Sequence, residues 1–288
     1  MVSRRELSRR AARAALLIRY KLGCNSRDAI SPLDAAEKLG VEVRFVDIGS
    51  LEGVYLRDNP AVILLSSHRP PGRQAFTCGH ELGHHVFNHS TRIDKLVAGP
   101  YERRRTPSEE VLADVFSGFL LMPRPALVHG FKARGWDMRA YRPERLYVLA
   151  RWLGVGYETL IYQMQYSLGM VDAAQARALL RVPLKAIRAF FWGVDTDHDV
   201  IPVDTHWSGR PVDAQEGDFL ILPLGTKRDG TCIEILQTSP NGLQAQAIRP
   251  GIGRLHIPSS EWGAFVRVSR RSYVGRGIYR YLDEVEDD

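Results

Sequence analysis

Apolar positions recur at helical spacing from the start of the chain. Leu7, Ala11, Ala14, Ile18 and Leu22 share a stripe, with arginines on the remaining faces and Gly23 just beyond, which predicts an amphipathic helix over residues 4–22. Ser31, Pro32 and Asp34 open a second helix (SPLDAAEKL) as N-cap, first helical residue and capping-box acid, and Gly40 ends it. The period then changes. VEVRF at 41–45 alternates and AVILL at 61–65 is rich in β-branched residues, so both read as strands, with Gly53–Leu56 as a third. Helical spacing returns from Arg73 to Asn88 and again from about Pro107 to Met122, where Pro123 and Pro125 stop it.

Residues 1–125 are thus expected to form one α+β domain with a small sheet. From Pro143 to Arg181 the pattern stays helical, through Leu146, Leu149, Ala150 and Leu153, then Leu160, Ile161, Met164 and Leu168, then 172–180. Beyond about residue 190, short apolar runs (VIPV, DFLILPL, CIEILQ, AFVRV) alternate with Gly, Pro, Asn and Asp turns, the pattern of a small barrel or sandwich. The expected division is 1–125, a helical module over 126–185, and a mostly β domain over 186–288.

Composition narrows the class. At 288 residues, 44% hydrophobic and 25% charged, the chain has the make-up of a folded multidomain protein. Its three cysteines, Cys24, Cys78 and Cys232, are too few and too scattered for a disulfide framework or a CxxC metal knuckle. No secretory signal or uncharged apolar stretch of membrane length is read, so the expected compartment is the cytoplasm, with no membrane association. The net charge of +6 permits an acidic partner or nucleic acid without establishing either. Arg4, Arg5, Arg9, Arg10, Arg13 and Arg19 crowd the first helix and residues 283–288 are acidic; solvated termini are the simplest reading of both.

His80-Glu81-Leu82-Gly83-His84 is H-E-x-x-H on a predicted helix. Four residues advance about 400°, so the two imidazoles lie one turn apart on one face and can bind one metal ion together. Glu81 points about 100° away from His80, where it can take a proton from a metal-bound water. Zn²⁺ is the expected ion, with Mn²⁺, Fe²⁺ and Co²⁺ chemically admissible. A third ligand is needed. On a continuing helix His89 falls about 140° from His84, so it reads as a helix-end histidine or one placed behind the ligands. Thr106-Pro107-Ser108-Glu109 fits a capping box, which gives Glu109 a structural task. Glu110 and Asp114 share a face beside the small residues Ser117 and Gly118, while Leu112, Val115, Phe116 and Phe119 form an apolar stripe opposite. Such a helix could present a ligand and a supporting carboxylate. A solvated polar face is the alternative.

The run RQAFTCGHELGH at 73–84, followed by EVLADVF at 110–116 and LLMP at 120–123, resembles the ImmA/IrrE family of bacterial zinc metallopeptidases over about residues 10–170. The resemblance implies a zincin-like, more narrowly gluzincin-like, site: His80, His84 and Glu110 as zinc ligands, Glu81 as general base, and Asp114 orienting a ligand histidine. It also implies an intracellular, site-specific endopeptidase acting on a protein substrate, a helix-turn-helix transcriptional repressor, in a stress or mobile-element response. A catalytically dormant zinc-binding transcriptional regulator or sensor is the alternative.

Other segments are less specific. Residues 149–160 resemble a helix-turn-helix, yet the would-be recognition helix, Tyr157–Ser167, has no Lys or Arg for phosphate contacts, which favours a structural or docking role over DNA binding. Arg92, Lys95 and Arg103–Arg105 lie in a polar stretch that suits either substrate recognition or a hydrated loop. Tyr101 and His129 are candidate oxyanion donors. Cys78 reads as a small buried hydrophobe, and Asp195, Asp197, His198 and Asp199 as a hydrated turn. Some family members end in a GAF-like sensor, which the C-terminal strands do not clearly match.

Overall fold

The structure, a computed structural model, describes residues 3–90, 92–95 and 107–283. The side chains of Arg92 and Lys95, and all of Tyr101, Arg103, Arg104, Arg105 and Thr106, lie outside the described residues. The fold is α+β with several small sheets. It divides into two compact units, the first comprising residues up to Met138 with Leu153–Ala176 and Val274–Ile278, the second Arg139–Trp152, Arg177–Tyr273 and the residues from Tyr279. The helical stretch read from sequence as one module is therefore shared between the two units.

In the first unit, α1 (Arg4–Lys21) and α2 (Pro32–Lys38) precede strands β1 (Glu42–Val46), β2 (Leu51–Leu56) and β3 (Val62–Ser66). Helices α3 (Pro71–Val86), α4 (Ser108–Leu121) and α5 (Arg124–Ala133) follow, with strand β4 (Arg92–Lys95) between the first two. β3 is central, parallel to β1 and antiparallel to β2, and β4 pairs with the other edge of β2. Alternate residues Val43, Phe45, Ile63 and Leu65 are buried, the pattern of a sheet with one covered face.

Sequence had left the C-terminal region wholly to the last domain. Instead, the short strand at Gly275–Arg276 pairs antiparallel with β1. Gly277 follows it closely: a Cβ there would stand 3.2 Å from the Val43 carbonyl oxygen.

Arg19 corrects the view of α1 as a purely solvated basic helix. Its side chain is buried, and its guanidinium donates to the carbonyls of Leu120 at 2.5 Å, Asn25 at 2.8 Å and Asp28. A cation at the last-turn carbonyls of α4 is electrostatically favoured and satisfies groups the helix itself leaves unbonded. The buried stripe of α1 accordingly runs Leu7, Ala11, Ala15, Arg19. The stretch Ser108–Ala133 is long and apolar enough to cross a membrane by composition, but it breaks at Met122, and Phe116, Leu120, Leu121 and Leu127 are buried within the fold.

The second unit contains α6 (Pro143–Trp152), a further helix (Leu184–Trp192) and two four-stranded sheets between Val200 and Ser269. Asp199 was expected in a hydrated turn. Asp195, Asp197 and His198 are exposed, but Asp199 is largely buried, 2.7 Å from the Arg151 guanidinium and 3.3 Å from that of Arg188. These cations hold its carboxyl below the usual range in spite of burial.

The decisive packing in the first unit is between α3 and α4. A Cβ on Gly79 would meet Ser117 Oγ at 2.5 Å, and one on Gly83 would meet Ala113 Cα at 3.0 Å. Gly79 and Gly83 stand one turn apart, as do Ala113 and Ser117, so two small-residue stripes let the helix backbones approach. Ser117 Oγ also donates to the Phe76 carbonyl at 2.8 Å. Gly79→Ala is expected to destabilise the protein by about 1–3 kcal/mol through overpacking, read by denaturant unfolding. The added effect of Ser117→Ala on that background should be smaller than on wild type, because the two side chains contest one space.

Candidate metal centre

α3 is a helix because Pro71 enters its first turn and the rest of its sixteen residues contain no proline. It rests on β2 and β3 on one side and on α4 on the other. Every residue from Thr77 to His84 is buried. Polar side chains held there must be paired with one another or with a ligand.

The spacing of His80 and His84 brings their Nε2 atoms to 3.0 Å. Because α4 approaches so closely, Glu110 reaches the same point, with its Oε2 3.3 Å from His80 Nε2 and 3.6 Å from His84 Nε2. The two imidazoles beside this carboxylate hold its pKa well below the ordinary glutamate value. Four tetrahedral ligands at 2.0–2.1 Å from a zinc ion lie about 3.3 Å apart. The three donor atoms thus stand at the separations of one face of such a tetrahedron. Two neutral imidazoles and an ionised carboxylate also make a donor set suited to Zn²⁺, with Mn²⁺ next.

The far side of each imidazole is held too. Asp114, one turn on from Glu110 and exposed on its outer side, places Oδ1 2.8 Å from His80 Nδ1. That contact makes Nδ1 the protonated nitrogen and leaves the Nε2 lone pair facing Glu110. For His84 the partner is His89, Nδ1 to Nδ1 at 2.9 Å.

Sequence reasoning placed His89 by continuing the helix, and the helix does not continue. Asn88 adopts a left-handed conformation (φ 59°), Asn88 N–H donates to the His85 carbonyl at 3.0 Å, and His89 N–H donates to that of His84 at 2.9 Å. This is a Schellman ending, and it turns His89 back over the last turn. The signal was Asn88, one of the few non-glycine residues that tolerate this conformation.

Glu81 is fully buried and lies against β2, where a Cβ on Gly53 would come within 2.8 Å of its Oε1. The glycine in β2 leaves room for that carboxylate beside the ligand pair. Glu109 does not sit as the capping box required. α4 begins at Ser108 with Pro107 in the N-cap position, which moves Glu109 one place nearer the helix start, and Thr106 lies outside the described residues. Cys78 is buried, as expected. His129 lies on α5, and no described contact brings it to this cluster.

The would-be recognition helix is shorter than read. α7 runs Tyr157–Tyr162 and passes into a π-helical turn over Gln163–Ser167. Gln163 is buried against α4, where a Cβ on Gly118 would meet its Oε1 at 2.5 Å. Its side chain is therefore not available to DNA bases.

Residues 36–165 match the IrrE N-terminal-like domain, a peptidase family. Over 102 residues the chain is 30% identical to the radiation response metalloprotease IrrE of Deinococcus radiodurans, a match that spans 35% of this chain and 31% of that protein. A Mycobacterium tuberculosis transcriptional regulator is similar over 58% of this chain and 49% of its own, at 15% identity and a TM-score of 0.35, too slight a likeness to carry an argument. Purified protein is expected to hold one zinc per chain by elemental analysis, and Glu110→Ala to lose it. Asp114→Asn should retain the metal with about 10- to 100-fold weaker affinity against a competing chelator.

Proposed function

Because residues 36–165 belong to the IrrE N-terminal-like family of the ImmA/IrrE metallopeptidases, we propose that this protein is an intracellular zinc-dependent endopeptidase of zincin-like, gluzincin-type build. The observation that carries the reading is the His80, His84 and Glu110 triangle with a buried carboxylate, Glu81, on the residue next to the first ligand. A purely structural zinc site has four protein ligands and no use for such a carboxylate.

Bound zinc would supply Lewis acidity, bringing the pKa of a water toward about 7 and polarising a peptide carbonyl. The chain's own residues do the rest. Glu81 accepts the proton of the attacking water and delivers it to the leaving amine as the C–N bond breaks. Its burial keeps bulk water from competing for that proton. Asp114 and His89 keep His80 and His84 in the tautomer that offers Nε2, and Glu110, held ionised, balances charge.

The substrate we propose is a regulatory protein, a helix-turn-helix transcriptional repressor, cleaved at a defined site in a stress or mobile-element response. This rests on the family resemblance and on the relative named as a radiation response metalloprotease. The matched segment spans under a third of that relative, so the substrate is this reading's own step.

Host cells expressing wild type or Glu81→Gln should differ in their new protein N-termini under stress, with one repressor-like protein cut only by wild type. Matching profiles from two proteins that both hold zinc would instead support a dormant, zinc-binding regulator.

A further inference from the structure

Helix α1 carries a surface that the metal centre does not use. Arg4, Arg5, Arg9, Arg10 and Arg13 are exposed, and no ion pair joins them to a described residue. Beside them, between α1 and the end of α3, lies an open groove of about 470 Å³ walled by Arg9, Arg10, Arg13, Leu17, Val86 and Phe87, with Glu6 and Ala14 completing it. The Arg10 guanidinium sits 5.3 Å above the Phe87 ring. The second half of the helix is apolar on its outer side, with Leu16, Leu17 and Tyr20 exposed by 43%, 57% and 84%.

A basic half followed by an apolar half selects among partners. Duplex nucleic acid would use the arginines through its phosphates, but such interfaces are polar and leave exposed leucines and a tyrosine without a role. A peptide carrying both carboxylates and apolar side chains uses the whole surface. Arginine forks take the carboxylates, and Leu17, Val86 and Phe87 take the apolar groups.

The groove also reaches the back of the metal centre. Phe87 stacks on His89 at 5.8 Å between ring centroids, and His89 holds His84.

We infer that the α1 groove is a docking surface for an acidic, apolar-rich segment of the protein substrate. Calling the partner a substrate rests on the proposed peptidase reading; the binding does not. The test is fluorescence anisotropy of a labelled amphipathic peptide, with Glu on one face and Leu on the other, titrated with the full-length protein.

Binding is expected at low salt and should weaken as salt rises. The Arg9→Glu, Arg10→Glu, Arg13→Glu triple variant should bind about tenfold more weakly. The same arginines changed to Gln should give a smaller loss of the same sign, which guards against a folding defect in the reversed variant. Leu17→Ser should weaken binding at any salt. Glu81→Gln should bind as wild type does, so failure of the peptidase reading and failure of the docking surface are separately visible.

Equal binding of a peptide with Lys in place of Glu would overturn the inference. So would arginine-dependent binding of a DNA duplex by a protein indifferent to the acidic peptide. Peptide binding that appears only after removal of residues 284–288 would give the groove to the chain's own acidic tail, and would overturn it as well.

Discussion

The close crossing of α3 and α4 is the constraint on which the candidate centre depends. Gly79 and Gly83 on one helix face Ser117 and Ala113 on the other, and no larger side chain fits between the backbones. A carboxylate on a neighbouring helix can join two histidines at one metal only if the helices approach this far, because a glutamate side chain is short. Glu110 therefore depends on residues that carry no chemistry. Arg19 fixes the far end of the same helix by bonding the Leu120 carbonyl, so α4 is tied at its C-terminus to α1 and along its length to α3.

Electrostatics then sets which atoms face the centre. An imidazole offers one nitrogen to a metal only when the other holds a proton, and each histidine here has a partner for that proton. Asp114 serves His80 from α4, and His89 serves His84 from beyond the end of α3. One partner is a carboxylate and the other an imidazole, so the two histidines are held by different chemistry. Glu110, ionised by its contact with both, completes a donor set of charge −1.

Much of this was legible in the chain. H-E-x-x-H fixes the relation of His80 to His84 because both lie on one helix, and the Glu110–Asp114 spacing places the two carboxylates on one face for the same reason. What could not be read was whatever depends on where a helix stops or on a contact distant in sequence. His89 does stand at the helix end behind the ligand pair, as its spacing suggested, but helical extrapolation could not show that Asn88 reverses the backbone to bring it onto His84. The capping box at 106–109 was placed one residue early. Arg19 looked like one more surface arginine, since periodicity cannot show three carbonyls converging from Asn25, Asp28 and Leu120. The strand at Gly275–Arg276 is two residues long, too short to leave a pattern, and its pairing with β1 crosses more than two hundred residues.

A two-histidine, one-carboxylate zinc site built by the α3–α4 crossing has a definite set of metal neighbours. X-ray absorption at the zinc edge of the purified full-length protein tests it most directly. Nitrogen and oxygen neighbours only are expected, at about 2.0–2.1 Å, with the multiple-scattering signature of two imidazoles. A sulfur neighbour at about 2.3 Å would place the metal on a cysteine and contradict it.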